Sequence, residues 1–289
     1  MNNLLTIVFS AYQSHKLLDK VIKQLPSNFK VLVIENSQDN NLKINLENKF
    51  KNVEVIIPKE NLGLAKSYNL AIRRSKTKYV FLNNPDLKIE KKCILQLLNC
   101  AKKIKKFGII APTYKNEKIY KNYEIFNKKK QYKSTFFKKY GISEVDLIDN
   151  SFLINKKILG KNIFDENFFL YFETLDFCKM LKINNKRLFV CKKIKYHHKG
   201  SSSVHKKFNK IVKLTRAFHY NWSKFYYFKK HYGYIFALRK LIPNLVKSIK
   251  RIFISLLFFD KNKLLISFVE LFGILAALLS FKSFYRPKM

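Results

Sequence analysis

The stretch YVFLNNPD, residues 79–86, is four aromatic or aliphatic residues that break abruptly into Asn83, Asn84, Pro85 and Asp86. An unbroken run of such residues suits a strand covered on both faces, and the Asn-Pro step initiates a turn. The same pattern occurs three times upstream. Residues 4–9 run into Ser10, Ala11 and Tyr12, residues 30–34 into Glu35 to Asp39, and residues 53–57 into Glu60, Asn61, Leu62 and Gly63. Helical periodicity fills the intervals at 17–25, 65–73 and 94–104. This alternation predicts an α/β fold, a mostly parallel sheet with flanking helices, whose ligands bind beyond the carboxyl ends of the strands. The four polar clusters lie at those ends. Taken singly, each also reads as ordinary turn or helix-cap chemistry.

Further along, residues 115–139 are rich in lysine and tyrosine without periodicity and predict a surface excursion, a place for contacts with a substrate or partner. Regular patterning resumes at 145–154, runs through the aromatic and acidic stretch 164–181, and reaches a strand-like 187–191 before Tyr196, His197 and His198. After His205 the character changes. Residues 213–234 read as an aromatic-rich helix, and 235–281 hold long apolar runs interrupted by Lys and Arg. Residues 264–281 approach the length of a spanning helix, but they contain Glu270 and adjoin the basic amphipathic segment 245–253. The expectation is a helical tail lying in a membrane interface rather than crossing it, the alternative being a helical cap on its own domain. The predicted organisation is a domain over 1–205, with halves of about 1–110 and 111–205, followed by the tail over 206–289.

The 289 residues carry 58 Lys and Arg against 19 Asp and Glu, a net charge of +39. Such a field favours anionic partners of any kind. From Lys206 onward eighteen Lys or Arg face only Asp260 and Glu270, which suits an anionic membrane surface at the cytoplasmic side. Lysine dominates over arginine and no nucleic-acid-binding motif is present, so no nucleic-acid partner is expected. Cys93, Cys100, Cys178 and Cys191 form no Cys-x-x-Cys pair and read as reduced packing residues. The first strand begins without a charged leader, which predicts a catalytic part on the cytoplasmic face of the membrane.

Three clusters carry groups suited to chemistry. Asp86 can give a hard carboxylate to a divalent cation, with Asn84 adding a carbonyl oxygen or a hydrogen bond; the same residues also make a plain turn. Glu173 and Asp176, three apart where an aromatic run becomes a helix, suit either a general base or a pair of first-turn caps. His197 and His198 precede Lys199, Gly200 and three serines, so one imidazole can bind metal or phosphate, or both can be surface residues.

Taken together in order, TIVFSAY (6–12), VIENSQD (33–39), ENLGLAKSYN (60–69), FLNNPD (81–86), residues 168–181 and HKGSS (198–202) resemble the inverting glycosyltransferases of family 2, particularly the rhamnosyltransferase-like branch, over residues 4–230. The resemblance implies a GT-A fold, a Rossmann-like nucleotide half joined to an acceptor half, and a divalent cation, Mg²⁺ or Mn²⁺. It implies that Ser10, Tyr12, Glu35, Asn61, Gly63 and Asn84 bind a nucleotide-sugar donor, with Glu35 standing where the family usually has Asp. Asp86 matches the second acid of the D-x-D motif, and His198 the late histidine that binds metal or diphosphate. The usual base position is Thr174, which cannot serve near neutral pH, so Glu173 or Asp176 must take the proton. Met180 stands where an arginine is common. The implied activity is sugar transfer from dTDP-rhamnose or a UDP-sugar to a glycan or lipid-linked acceptor of the cell surface. The departures at Thr174 and Met180 leave a catalytically impaired, membrane-bound glycan-binding or scaffold protein of the same fold as the rival.

Overall fold

The computed structural model describes residues 4–104, 106–116, 121–126, 134–149, 151–159, 163–198 and 208–286; the backbone of His198 is described, its side chain is not. Four parallel strands come first: β1 (Leu5–Ala11), β2 (Lys30–Glu35), β3 (Val53–Ile56) and β4 (Tyr79–Asn83), ordered β3-β2-β1-β4. Ile7, Val8, Phe9, Val33, Ile34, Val80 and Phe81 are all buried, as strands covered on both faces require. Helices α1 (His15–Ile22), α2 (Asn40–Lys49) and α3 (Gly63–Arg74) make the crossovers, and α4 (Lys91–Lys103) follows the short β5 (Leu87–Lys88).

Helix α2 has little apolar periodicity, which is why its sequence gave no helical signal. It starts from Asp39, whose carboxylate accepts from Leu42 N at 3.0 Å, and it buries Leu42 and Leu46.

Beyond β4 the sheet becomes mixed. β10 (Phe152–Asn155) runs antiparallel between β4 and β6 (Ile109–Tyr114), and β11 (Leu188–His198) lies parallel to β6. On β11, β8 (Ile142–Val145) and β5 pair antiparallel. The stretch expected as a surface excursion contains more structure than that. β7 (Tyr123–Glu124) pairs with β9 (Leu147–Ile148), and α5 (Thr135–Tyr140) starts from a Ser134 cap. Asn122 and Tyr123 are buried, with Asn122 Nδ2 donating to Pro112 O at 3.0 Å, so part of the segment belongs to the packed body. The short α6 (Lys156–Leu159) leads toward α7 (Glu173–Ile183).

The chain forms two compact units. The first comprises residues 1–62, 66–164 and 174–204; the second comprises 63–65, 165–173 and 205–289. The second unit is built on α8 (Asn209–Tyr232), α9 (Tyr234–Leu257) and α10 (Lys261–Leu278). Its core joins Phe218, Trp222, Phe225, Leu241, Ile274 and Ala277. Gly273 makes the packing possible, because a Cβ there would overlap the Phe218 backbone. Among the described residues no helix is long and apolar enough to cross a membrane.

Candidate active site

Strand register sets the site. In the first unit Ala11 lies opposite Glu35, and Phe9 lies opposite Asn83, so the carboxyl ends of β2, β1 and β4 stand side by side. Ser10, Tyr12, Glu35, Asn84 and Asp86 are therefore gathered at one edge of the sheet, where α/β folds bind ligands. Asn61 is drawn to the same edge because its neighbour Leu62 donates N–H to Asn36 Oδ1 at 3.0 Å.

Asn36 is the hub of this edge. Its Nδ2 donates to Ser10 Oγ at 3.2 Å, Ala11 O at 3.3 Å and Ser67 Oγ at 3.0 Å, tying together the ends of β1, β2 and helix α3. In the sequence it stands inside the 33–39 motif, but nothing there sets it apart from a turn residue. Beside it the buried Glu35 carboxylate turns into its own loop, accepting from Ser37 N at 3.0 Å, Asp39 N at 2.8 Å and the Ser37 hydroxyl. Burial pushes the Glu35 carboxyl above its ordinary range despite those donors, and burial and then Glu35 push the Tyr12 phenol up as well.

The Asn84-Pro85-Asp86 turn is held from three sides. Leu87 N donates to Asn84 O at 3.1 Å, closing the turn. Asn83, fully buried, donates from Nδ2 to Leu87 O at 3.1 Å and accepts from the Ser151 hydroxyl. Tyr68, from α3, donates its phenol to Asn84 Oδ1 at 3.0 Å. Asp86 is left half-buried at the tip of a rigid corner. Two residues of β11 come to this corner: His198 pairs with Leu87, and His197 with Lys88. The backbone of His198 is thus one register step from Asp86, while the Lys199–Ser203 motif lies outside the described residues.

Asp176 also belongs to the first unit, buried on α7, whose Phe177 packs against Phe152 and Phe164. Asn69 holds Phe164 in place, accepting from Phe164 N at 3.0 Å and donating to Phe164 O at 2.8 Å.

Gly63 and Glu173 fall in the second unit. Gly63 has φ +69°, and a Cβ there would overlap the carbonyl and ring of Phe169, whose oxygen accepts from Leu64 N at 2.8 Å. Glu173 opens α7, buried, after two aromatic residues in the left-handed region, Tyr171 (φ 68°) and Phe172 (φ 65°). Bulky residues rarely adopt that conformation, at a cost of about 1–2 kcal/mol each. Rings of α8 hold them there: Tyr220 packs edge-on to Tyr171, and Tyr227 lies 5.7 Å from Phe172. Nothing in the sequence pattern announces this strained link.

Among the described residues no group of three or more His, Cys, Asp and Glu forms a ready-made metal cage. A hard divalent cation bound through phosphate oxygens needs only one or two protein carboxylates, and Asp86 at its clamped corner fits that requirement.

A nucleotide-type α/β sheet, with its polar edge at the ends of β1, β2 and β4 and an acid fixed after β4, defines the class. The chain belongs to glycosyl transferase family 2, whose profile matches residues 6–162. Three solved structures share the fold. A mannosyltransferase from Pyrobaculum calidifontis, PcManGT, in complex with GDP-Man and Mn²⁺, has a TM-score of 0.55 at 12% identity, covering 96% of this chain and 87% of its own. GalNAc-T7 with UDP, GalNAc and Mn²⁺ has a TM-score of 0.53 at 13% identity, over 76% of this chain and 49% of its own. S. aureus TarS 1-349 in complex with UDP-GlcNAc has a TM-score of 0.50 at 15% identity, over 98% and 93%. The curated protein sequences contain no match to the chain.

Proposed function

We propose that the protein is an inverting glycosyltransferase of the rhamnosyltransferase-like branch, moving a sugar from dTDP-rhamnose or a UDP-sugar to a glycan or lipid-linked acceptor in cell-surface polysaccharide synthesis. The observation that carries the reading is the clamped Asp86 corner, with its acid fixed after a buried parallel strand and the backbone of His198 in register beside it. Ser10, Tyr12, Glu35, Asn61, Gly63 and Asn84 bind the nucleotide-sugar. Asp86, with His198, would hold Mg²⁺ or Mn²⁺, which would neutralise the charge that develops on the leaving diphosphate. The Mn²⁺ complexes of the two similar structures support that choice of cation.

The acceptor hydroxyl gives its proton to a carboxylate as its oxygen bonds to the anomeric carbon. The bond from that carbon to the diphosphate oxygen breaks on the opposite side, so the configuration inverts and no enzyme-bound intermediate forms. We assign the base to Glu173, with Asp176, three residues further along α7, as the alternative. The assignment rests on the strained Tyr171-Phe172 link before Glu173, since backbone strain of this kind clusters at functional sites.

A second reading, a binding or scaffold protein of the same fold, draws on Thr174 at the usual base position and Met180 where an arginine is common. Thermal stabilisation by a panel of nucleotide sugars, with and without Mn²⁺, followed by product analysis of the best binder, separates the two. Metal-dependent stabilisation with turnover supports transfer. Stabilisation without turnover of any acceptor or water leaves the binding protein, and no stabilisation by any donor rejects both.

A further inference from the structure

The corner between α9 and α10 is built the wrong way round for a surface that meets only water. Leu257, Phe258 and Phe259 are 75%, 77% and 88% exposed, with Phe253 and Leu256 half or more exposed beside them. Phe259 also sits in the left-handed region, φ 51°, a conformation that a turn normally gives to Gly or Asn. Neither the exposure nor the strain is offset by packing of those three side chains. Monomeric proteins rarely expose contiguous apolar patches of this kind without a partner.

The charges around the corner say which partner. Lys247, Lys250 and Arg251 lie in the second half of α9, whose last turn carries no basic residue, and Lys261 and Lys263 begin α10, all exposed. The only acids in the sequence from Lys206 onward are engaged: Asp260 with Lys263 at 3.0 Å, and Glu270 with Arg251 at 2.8 Å. With those two ion pairs set aside, Lys247, Lys250 and Lys261 still flank the apolar prong in sequence, which matches an anionic lipid surface, where the prong enters the acyl boundary and the lysines meet the headgroups. A protein partner burying this corner would need acids to face the same lysines.

We propose that the Leu257-Phe258-Phe259 corner is a membrane-docking prong for anionic bilayers, inserted without crossing. Bilayer docking uses none of the residues assigned to the transfer chemistry, so vesicle binding and sugar turnover can fail separately.

The test is co-sedimentation of the full chain with vesicles of phosphatidylcholine alone and of phosphatidylcholine mixed with phosphatidylglycerol. The wild type should bind the anionic vesicles, release as salt rises, and bind the neutral ones far less. The triple variant Leu257→Ser, Phe258→Ser, Phe259→Ser should lose binding by about a hundredfold, and Lys250→Glu with Lys261→Glu by at least about tenfold. All five positions are exposed, so circular dichroism should show the variants folded. Equal binding to both vesicle types, or a folded triple variant that binds like the wild type, overturns the proposal. A concentration-dependent dimer that the triple variant dissolves, with vesicle binding unchanged, overturns it in favour of a second copy of the chain.

Discussion

At the ends of β1, β2 and β4, polar side chains are turned inward and bonded to one another. Asn36 bonds Ser10, Ala11, Ser67 and Leu62, Asn83 bonds Leu87 and Ser151, and Tyr68 holds Asn84. At the α9–α10 corner the reverse holds, and three large apolar side chains stand in solvent. The first region pre-orders polar groups so that a small charged ligand meets them without further reorganisation. The second orders nothing, and its apolar area yields free energy only when something else covers it. A polar network bonded before any ligand arrives suits a small charged molecule, and an apolar corner flanked by lysines suits a surface.

The largest effect that would break this comparison lies at the start of α7. Glu173→Gln should lower kcat by about 10²–10⁴ with donor binding little changed, and Asp176→Asn should cost less, as single-turnover rates with the preferred donor will show. Equal losses in both variants, or none in Glu173→Gln, would move the base elsewhere.

Next comes Gly63→Ala. Its Cβ would overlap Phe169, at a positive φ, so urea unfolding should show a loss of about 2–4 kcal/mol.

Third is a pH effect confined to the second unit. His219, fully buried, has Nε2 2.8 Å from Tyr285 O and Nδ1 2.9 Å from Ser283 Oγ. Burial lowers its pKa to about 3 from 6.5, with the nearby Arg286 adding to the effect. The unfolded chain therefore takes the proton first, and stability should fall as pH drops below about 6.5 and continue falling toward 3. The slope from this group is at most about 1.4 kcal/mol per pH unit. His219→Gln should flatten that slope in denaturant titrations repeated across the range.

The smallest effect is Tyr68→Phe. Loss of the phenol from Asn84 should slow turnover by about fivefold while the protein stays folded.

The sheet was legible in the sequence because its strands are covered on both faces, and an unbroken run such as residues 79–82 leaves little other use for its side chains. The positions that follow the strands were legible for the same reason, since the ends of parallel strands are where the polar residues collect. Helix α2 was not, because Leu42 and Leu46 alone face the core and the rest of its surface is polar. The work of Asn36, Asn69 and Asn83 was hidden too, as an asparagine that makes long-range hydrogen bonds looks no different from one in a turn. Residues 63–65 and 165–173 joining the helical unit depended on a contact about a hundred positions apart, Leu64 N to Phe169 O, which local pattern does not carry. Hidden in the same way were the left-handed Tyr171 and Phe172, held by rings from α8.

The central claim is that Asp86 ties the donor's diphosphate to a divalent cation. Thermal stabilisation of wild type and Asp86→Asn by UDP, GDP and dTDP, each titrated with Mn²⁺ and then with chelator, tests it directly. The account predicts that at least one nucleotide stabilises the wild type only with Mn²⁺, and that Asp86→Asn, folded and equally stable alone, loses that Mn²⁺-dependent shift. Stabilisation of the wild type that survives chelation, or a variant that responds to Mn²⁺ as the wild type does, would contradict it.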